Sequence, residues 1–139
     1  MSDDVVLERM FYISRATRPM SRGELEDLLH GARARNVARD ITGMLLYDGG
    51  HFAQVVEGPQ ETVRRLFQSI QRDQRHSEVV VICEGPVEQR DFPGWAMGYS
   101  NLDGEKEPNI EEIKTMMRTQ DVRDPVGAYR FLLAFQRTG

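Results

Sequence analysis

The chain has 139 residues, of which 40% are hydrophobic and 29% charged, with a formal net charge of -4, a size suited to one domain with its own core. An acidic balance removes the uniform attraction to phosphate on which nucleic-acid binding depends, and no window approaches the roughly 20 apolar residues of a membrane-spanning helix. The single cysteine, Cys83, cannot close an internal disulfide, and the N-terminus opens on acids where a secretory signal has a basic region, so the cytoplasm is the expected address.

From Val5 to Ser14 the sequence VVLERMFYIS is rich in β-branched and aromatic residues and is closed by Arg18-Pro19, which predicts a strand. Ser21 with Glu24 forms a capping-box pattern, and Leu25, Leu28, Leu29 and Ala32 recur on one face, predicting a helix to about Arg35 with Asn36 at its end. ITGMLLYDGGHFAQVVEG places two apolar runs around Asp48-Gly49-Gly50, a β-hairpin signature. Val63, Leu66, Phe67 and Ile70 follow Pro59 at helical spacing, predicting a second amphipathic helix whose polar end runs from Arg72 to His76. EVVVICEGPVE reads as a strand, and WAMGYS as a shorter one after the turn at Phe92-Pro93-Gly94.

Strand, helix, hairpin, helix, strand and a further short strand make the split βαβ pattern of α+β, ferredoxin-like folds, with a mixed sheet and two helices on one face. After a polar linker, LDGEKEPN, two stretches carry apolar faces at Ile110, Ile113, Met116 and Met117 and at Tyr129, Leu132 and Leu133. They are expected as C-terminal helices on the opposite face, which divides the chain into a unit of residues 1–102 and an extension of residues 103–139.

Phosphate-loop, dinucleotide-binding, zincin and nucleophile-elbow motifs are absent, and His30, His51 and His76 lack metal-ligand spacing. No enzyme is expected. What remains is a set of polar residues inside apolar segments: Tyr12 in MFYIS, Gln54 in HFAQVVEG, and Asn36 before the hairpin. An unpaired buried amide costs about 1–3 kcal/mol, so a buried Gln54 is expected to have a partner. Local reasoning leaves other readings open. Tyr12 alone suits a half-buried strand aromatic, the alternation of Phe52, Gln54 and Val56 against Ala53 and Val55 does not decide the face, and Asn36 suits a helix C-terminus. Arg75 and His76 suit a solvated helix end, and Trp95 and Met97 suit plain core.

Taken together and in order, FYIS, ARNVARDITGMLLYDGGHFAQVVEG, IQRDQRHS and RDFPGWAMGYS resemble the BLUF family of flavin-binding blue-light sensors, from about Val6 to Ser100. The resemblance implies a noncovalent flavin clasped between the two sheet-packed helices, with Tyr12 and Gln54 hydrogen-bonding near its C4 carbonyl and N5 and rearranging in light. It further implies that Asn36 anchors the ring's pyrimidine edge, that Trp95 and Met97 lie near the glutamine, one or other of them facing the flavin, and that Asp73, Arg75 and His76 line the flavin's outer end. Ile41, Leu45, Phe52 and Val55 are the expected apolar lining beside Asn36. FAD is the expected flavin, with FMN and riboflavin as alternatives. Because the chain ends at Gly139, the expected output runs through a separate effector protein or a homo-oligomer. The alternative is a flavin-free ferredoxin-like interaction module, which would be colourless.

Overall fold

A computed structural model describes residues 6–102 and 108–138; the predicted strand start at Val5 and most of the polar linker lie outside them. The first strand, β1, spans Leu7–Ala16 and leads to helix α1, Arg22–Arg39. Ser21 caps α1: its hydroxyl accepts from Glu24 N at 3.2 Å while the Glu24 carboxylate accepts from Ser21 N at 3.2 Å, the reciprocal capping box. The helix runs a turn further than its apolar period, because the exposed residues after Asn36 carry no such signal. It stops where Asp40 adopts a left-handed φ of 59° and its N–H bonds back to Asn36 O and Val37 O. Asn36 therefore lies inside the last turn of α1 and is buried.

Strands β2, Thr42–Asp48, and β3, His51–Pro59, form the hairpin. Gly49 and Gly50 both have positive φ, 49° and 95°, which two-residue turns matching the twist of the strands require. Helix α2, Gln60–Arg72, follows, then β4, His76–Val87, and β5, Gly98–Asn101. The five-stranded sheet has the order β4-β1-β3-β2-β5, antiparallel except where β5 lies parallel to β2. This is the expected α+β, ferredoxin-like arrangement.

The sheet separates two apolar clusters. On one face Met10, Tyr12, Leu45, Phe52 and Val56 pack with Leu25 and Leu29 of α1 and Val63 of α2. On the other, Phe11, Ile13, Met44, Leu46 and Val55 pack with α3, Pro108–Thr119, and α4, Pro125–Thr138, through Ile113, Met117 and Leu132. Full burial of one such side chain contributes about 1.5–3 kcal/mol, so the C-terminal helices complete a core rather than decorate a finished one. Among the described residues no helix is long and apolar enough to cross a membrane.

Candidate functional site

Register builds the site. Tyr12 of β1 stands directly opposite Gln54 of β3, and Gln54 stands opposite Leu45 of β2. Opposed residues of antiparallel strands share a face, so this row projects toward α1 and α2. The Tyr12 hydroxyl donates to Gln54 Oε1, and its ring meets Phe67 of α2 edge-on at 5.7 Å. Burial, and secondarily the negative charge of Asp73, push the Tyr12 phenol well above its usual pKa, so it is held as a neutral donor.

The same amide turns its other end to Met97, with Gln54 Nε2 donating to Met97 Sδ at 3.5 Å. Two α1 side chains hold the backbone around that methionine. Asn36 Nδ2 donates to Ala96 O at 2.6 Å, and Arg33 Nε donates to Met97 O at 2.9 Å. Above Gln54 a cleft of about 70 Å³ opens between the helices, walled by Leu28, Ala32, Leu66 and Ile70 and floored by Leu45, Phe52 and Gln54. Asn36 and Arg35 border it on α1, and Asp73 and Arg75 at the end of α2. Asp73 and Arg75 are locked together, since Arg75 Nη2 donates to Asp73 Oδ2 at 2.6 Å and Arg75 N to Asp73 Oδ1 at 2.9 Å.

The structure thus brings Tyr12, Asn36, Leu45, Phe52, Gln54, Met97, Asp73 and Arg75 to one region. Ile41 is buried in the same cluster just after α1 but is not among the residues walling the cleft. The His76 backbone begins β4, opposite Ala16, rather than ending a helix; its side chain lies outside the described residues. One expectation is corrected. Val55 points to the opposite face, because its neighbour Gln54 is committed to the cleft by the register with Tyr12, and adjacent strand residues alternate. Of Trp95 and Met97, between which the sequence left the choice open, Trp95 packs on the far face, 6.5 Å from Phe92, and Met97 meets Gln54. A bend at Ala96–Met97 breaks the parity between Trp95 and Met97, and Gly98 leaves room for the indole: a Cβ there would lie 2.1 Å from Trp95 Cε3.

Leu28, Ala32, Leu66 and Ile70 were legible as helix faces but not as cleft walls, and Arg33 gave no local sign. Glu57 did give one. It is a carboxylate in an apolar strand, the sixth of the seven residues of FAQVVEG, and it is fully buried and paired with Arg9 at 3.1 Å.

The model of the family described as "BLUF: Sensors of blue-light using FAD" matches residues 7–98. Over 95 residues, 68% of this chain, the sequence is 41% identical to the photoactivated adenylate cyclase subunit beta of Euglena longa, but that stretch is 11% of the Euglena protein. The chain therefore spans about a tenth of that relative, and the likeness carries no cyclase activity to it. The dark-state structure of BlrB, a BLUF protein, matches 94% of this chain and 98% of its own with a TM-score of 0.77 and 28% identity. The photo-activated state of BlsA matches 91% of each chain, with a TM-score of 0.74 and 30% identity. The enzyme match is confined to a small part of the enzyme, whereas these two short proteins are matched nearly end to end. With the family motifs covering most of the chain, this protein belongs to the BLUF family and is a blue-light sensor that uses flavin.

Proposed function

We propose that the cleft between α1 and α2 seats the flavin ring and that Gln54 is the switch that light operates. The lining fits an isoalloxazine: apolar walls for its flat faces, and the amides of Asn36 and Gln54 for its heteroatom edge. The ring is larger than the cleft's free volume, so the side chains at the helix surfaces, Arg35, Leu66 and Ile70, must swing outward to admit it. Asp73, Arg75 and His76 are assigned to the flavin's outer end. FAD is proposed as the cofactor; FMN and riboflavin present the same ring to the same walls.

Bound there, the flavin supplies absorption in the blue and an electron acceptor when excited. The chain supplies the memory. Tyr12 holds its proton on Gln54 Oε1, and Gln54 Nε2 points at Met97. Rotation of the amide about its broad, two-fold terminal torsion exchanges donor and acceptor. Nε2 then faces the Tyr12 oxygen, Oε1 faces Met97, and the contact to sulfur is lost. Two hydrogen-bond patterns thus exist with little displacement of heavy atoms.

The observation that carries this reading is the continuous Tyr12–Gln54–Met97 chain whose central member, Gln54, lies on the floor of the cleft. Output is proposed to pass from residues 1–102 to the extension of residues 103–139, and from there to a separate effector protein or a second copy of the chain. The test is the absorption spectrum before and after blue light. The purified protein should be yellow, and its flavin bands should shift to longer wavelength and recover in darkness. Gln54→Leu should keep the flavin and lose the shift; a normal shift in that variant removes Gln54 as the switch. Failure to take up FAD, FMN or riboflavin on refolding removes the cleft as the flavin site.

A further inference from the structure

The connector from Arg90 to Gly98 is a strap fastened at both ends. Its inner end is at the switch: Ala96 O and Met97 O are held by Asn36 and Arg33 of α1, and Met97 Sδ by Gln54. Midway, Gly43 N donates to Trp95 O at 2.9 Å. At the outer end the buried Glu57 carboxylate accepts from Asp91 N at 3.0 Å and from Phe92 N at 2.6 Å. Arg9 bridges Glu57 and Asp91, at 3.1 and 3.0 Å, and lies over the Tyr129 ring at 5.3 Å. Tyr129, on α4, donates its hydroxyl to Asp91 Oδ2 at 2.6 Å.

We propose that Tyr129 is the positioning residue through which the switch reaches α4: its hydrogen bond to Asp91 docks α4 in the dark, and a displacement of Met97, carried along the strap, weakens that bond. The proposal rests on Gln54 being the switch. Three features support it. The strap is held by hydrogen bonds along its length, so a shift at Met97 moves it as a unit rather than dissipating in a slack loop. Next, a phenol-to-carboxylate bond of this length is charge-assisted and directional, whereas the apolar contacts of Ile113 and Leu132 with the sheet tolerate sliding. Finally, the other polar links from the C-terminal helices to the sheet, among them Arg15 to Arg118 O, Gln120 to Glu78 O and the Lys114–Asp48 ion pair at 3.8 Å, lie toward the β2–β3 turn, away from the end of β2 that Gly98 pairs with.

The experiment uses the full-length, flavin-loaded chain, with amide hydrogen exchange of α4 followed in darkness and under blue light and absorbance recorded in parallel. Tyr129→Phe keeps the ring, its place over Phe11 and Arg9, and removes only the hydroxyl. In this variant the red shift should be unchanged, dark exchange in α4 should rise to the lit level of the unmutated protein, and its response to light should be lost. Exchange that rises equally in dark and light, or a light response that persists at full size, overturns the proposal. Asp91→Asn, which keeps an acceptor for the phenol, should retain a light response in α4, whereas Asp91→Ala should not; identical behaviour of the two overturns it as well. A red shift missing from the unmutated protein, read in the same absorbance record, defeats the Gln54 reading and this proposal together.

Discussion

Tyr12 illustrates how much one side chain's surroundings decide. Buried and within reach of the Asp73 charge, it resists ionising where a free tyrosine, with a pKa of about 10, would not. The unfolded chain takes no part in that resistance, so as pH rises past the free value unfolding lets the phenol ionise, and stability falls with pH there. The expected outcome is a red-shift amplitude that stays constant from neutral pH to the alkaline limit of folding, checked by light-minus-dark absorbance. An amplitude that titrates near the ordinary tyrosine value of about 10 would show Tyr12 ionising in the fold. Tyr12, Asn36 and Gln54 were readable in the sequence because polar groups in apolar segments demand partners and because their motifs occur in order. The face of Gln54 was not: alternation within β3 says that Gln54 and Val55 differ, and only the pairing with Tyr12 says which of them meets the cleft. Trp95 and Met97 were unreadable for a related reason, since the bend between them abolishes the period on which any inference about face depends.

The hairpin and the start of α1 were the most legible elements, because the positive φ at Gly49 and Gly50 and the reciprocal bonds of Ser21 and Glu24 are local chemistry. The far end of α1 was not, because Val37 is exposed and its turn adds nothing to the apolar stripe. The parallel pairing of β5 with β2 has no local signature either; it follows from where the strap delivers the chain. Replacing Ser21 by alanine should cost about 1 kcal/mol in chemical denaturation and leave the red shift intact, since the cap lies at the end of α1 away from Asn36. Gly98→Ala is expected to be more disruptive. Its Cβ would force the Trp95 indole out of place, costing about 1–3 kcal/mol as overpacking does, with a shifted emission from the chain's one tryptophan as the readout.

At the scale of the molecule, one sheet serves two cores, and the two sides are unequal in purpose. The α1–α2 side holds the residues proposed for the photochemistry, and the α3–α4 side is largely apolar packing crossed by polar links, of which Tyr129 to Asp91 is the one at the strap. Leu132→Ala should therefore lower stability by about 2–5 kcal/mol, measured by denaturant, while the spectrum of the folded fraction stays as it was. Removing the extension after Leu102 exposes Phe11, Ile13, Met44, Leu46 and Val55 together, a contiguous apolar face of the kind that aggregates, so the division at residue 102 is proposed for signalling and not for folding. The irregularity of β4 has a bearing on association. As an outer strand it carries two register shifts against β1, a left-handed Glu78 at φ 51° and Pro86, while the opposite rim, β5, is four residues long. Both rims are poor templates for an incoming strand. Copies of this chain are thereby hindered from growing end on end through their backbones.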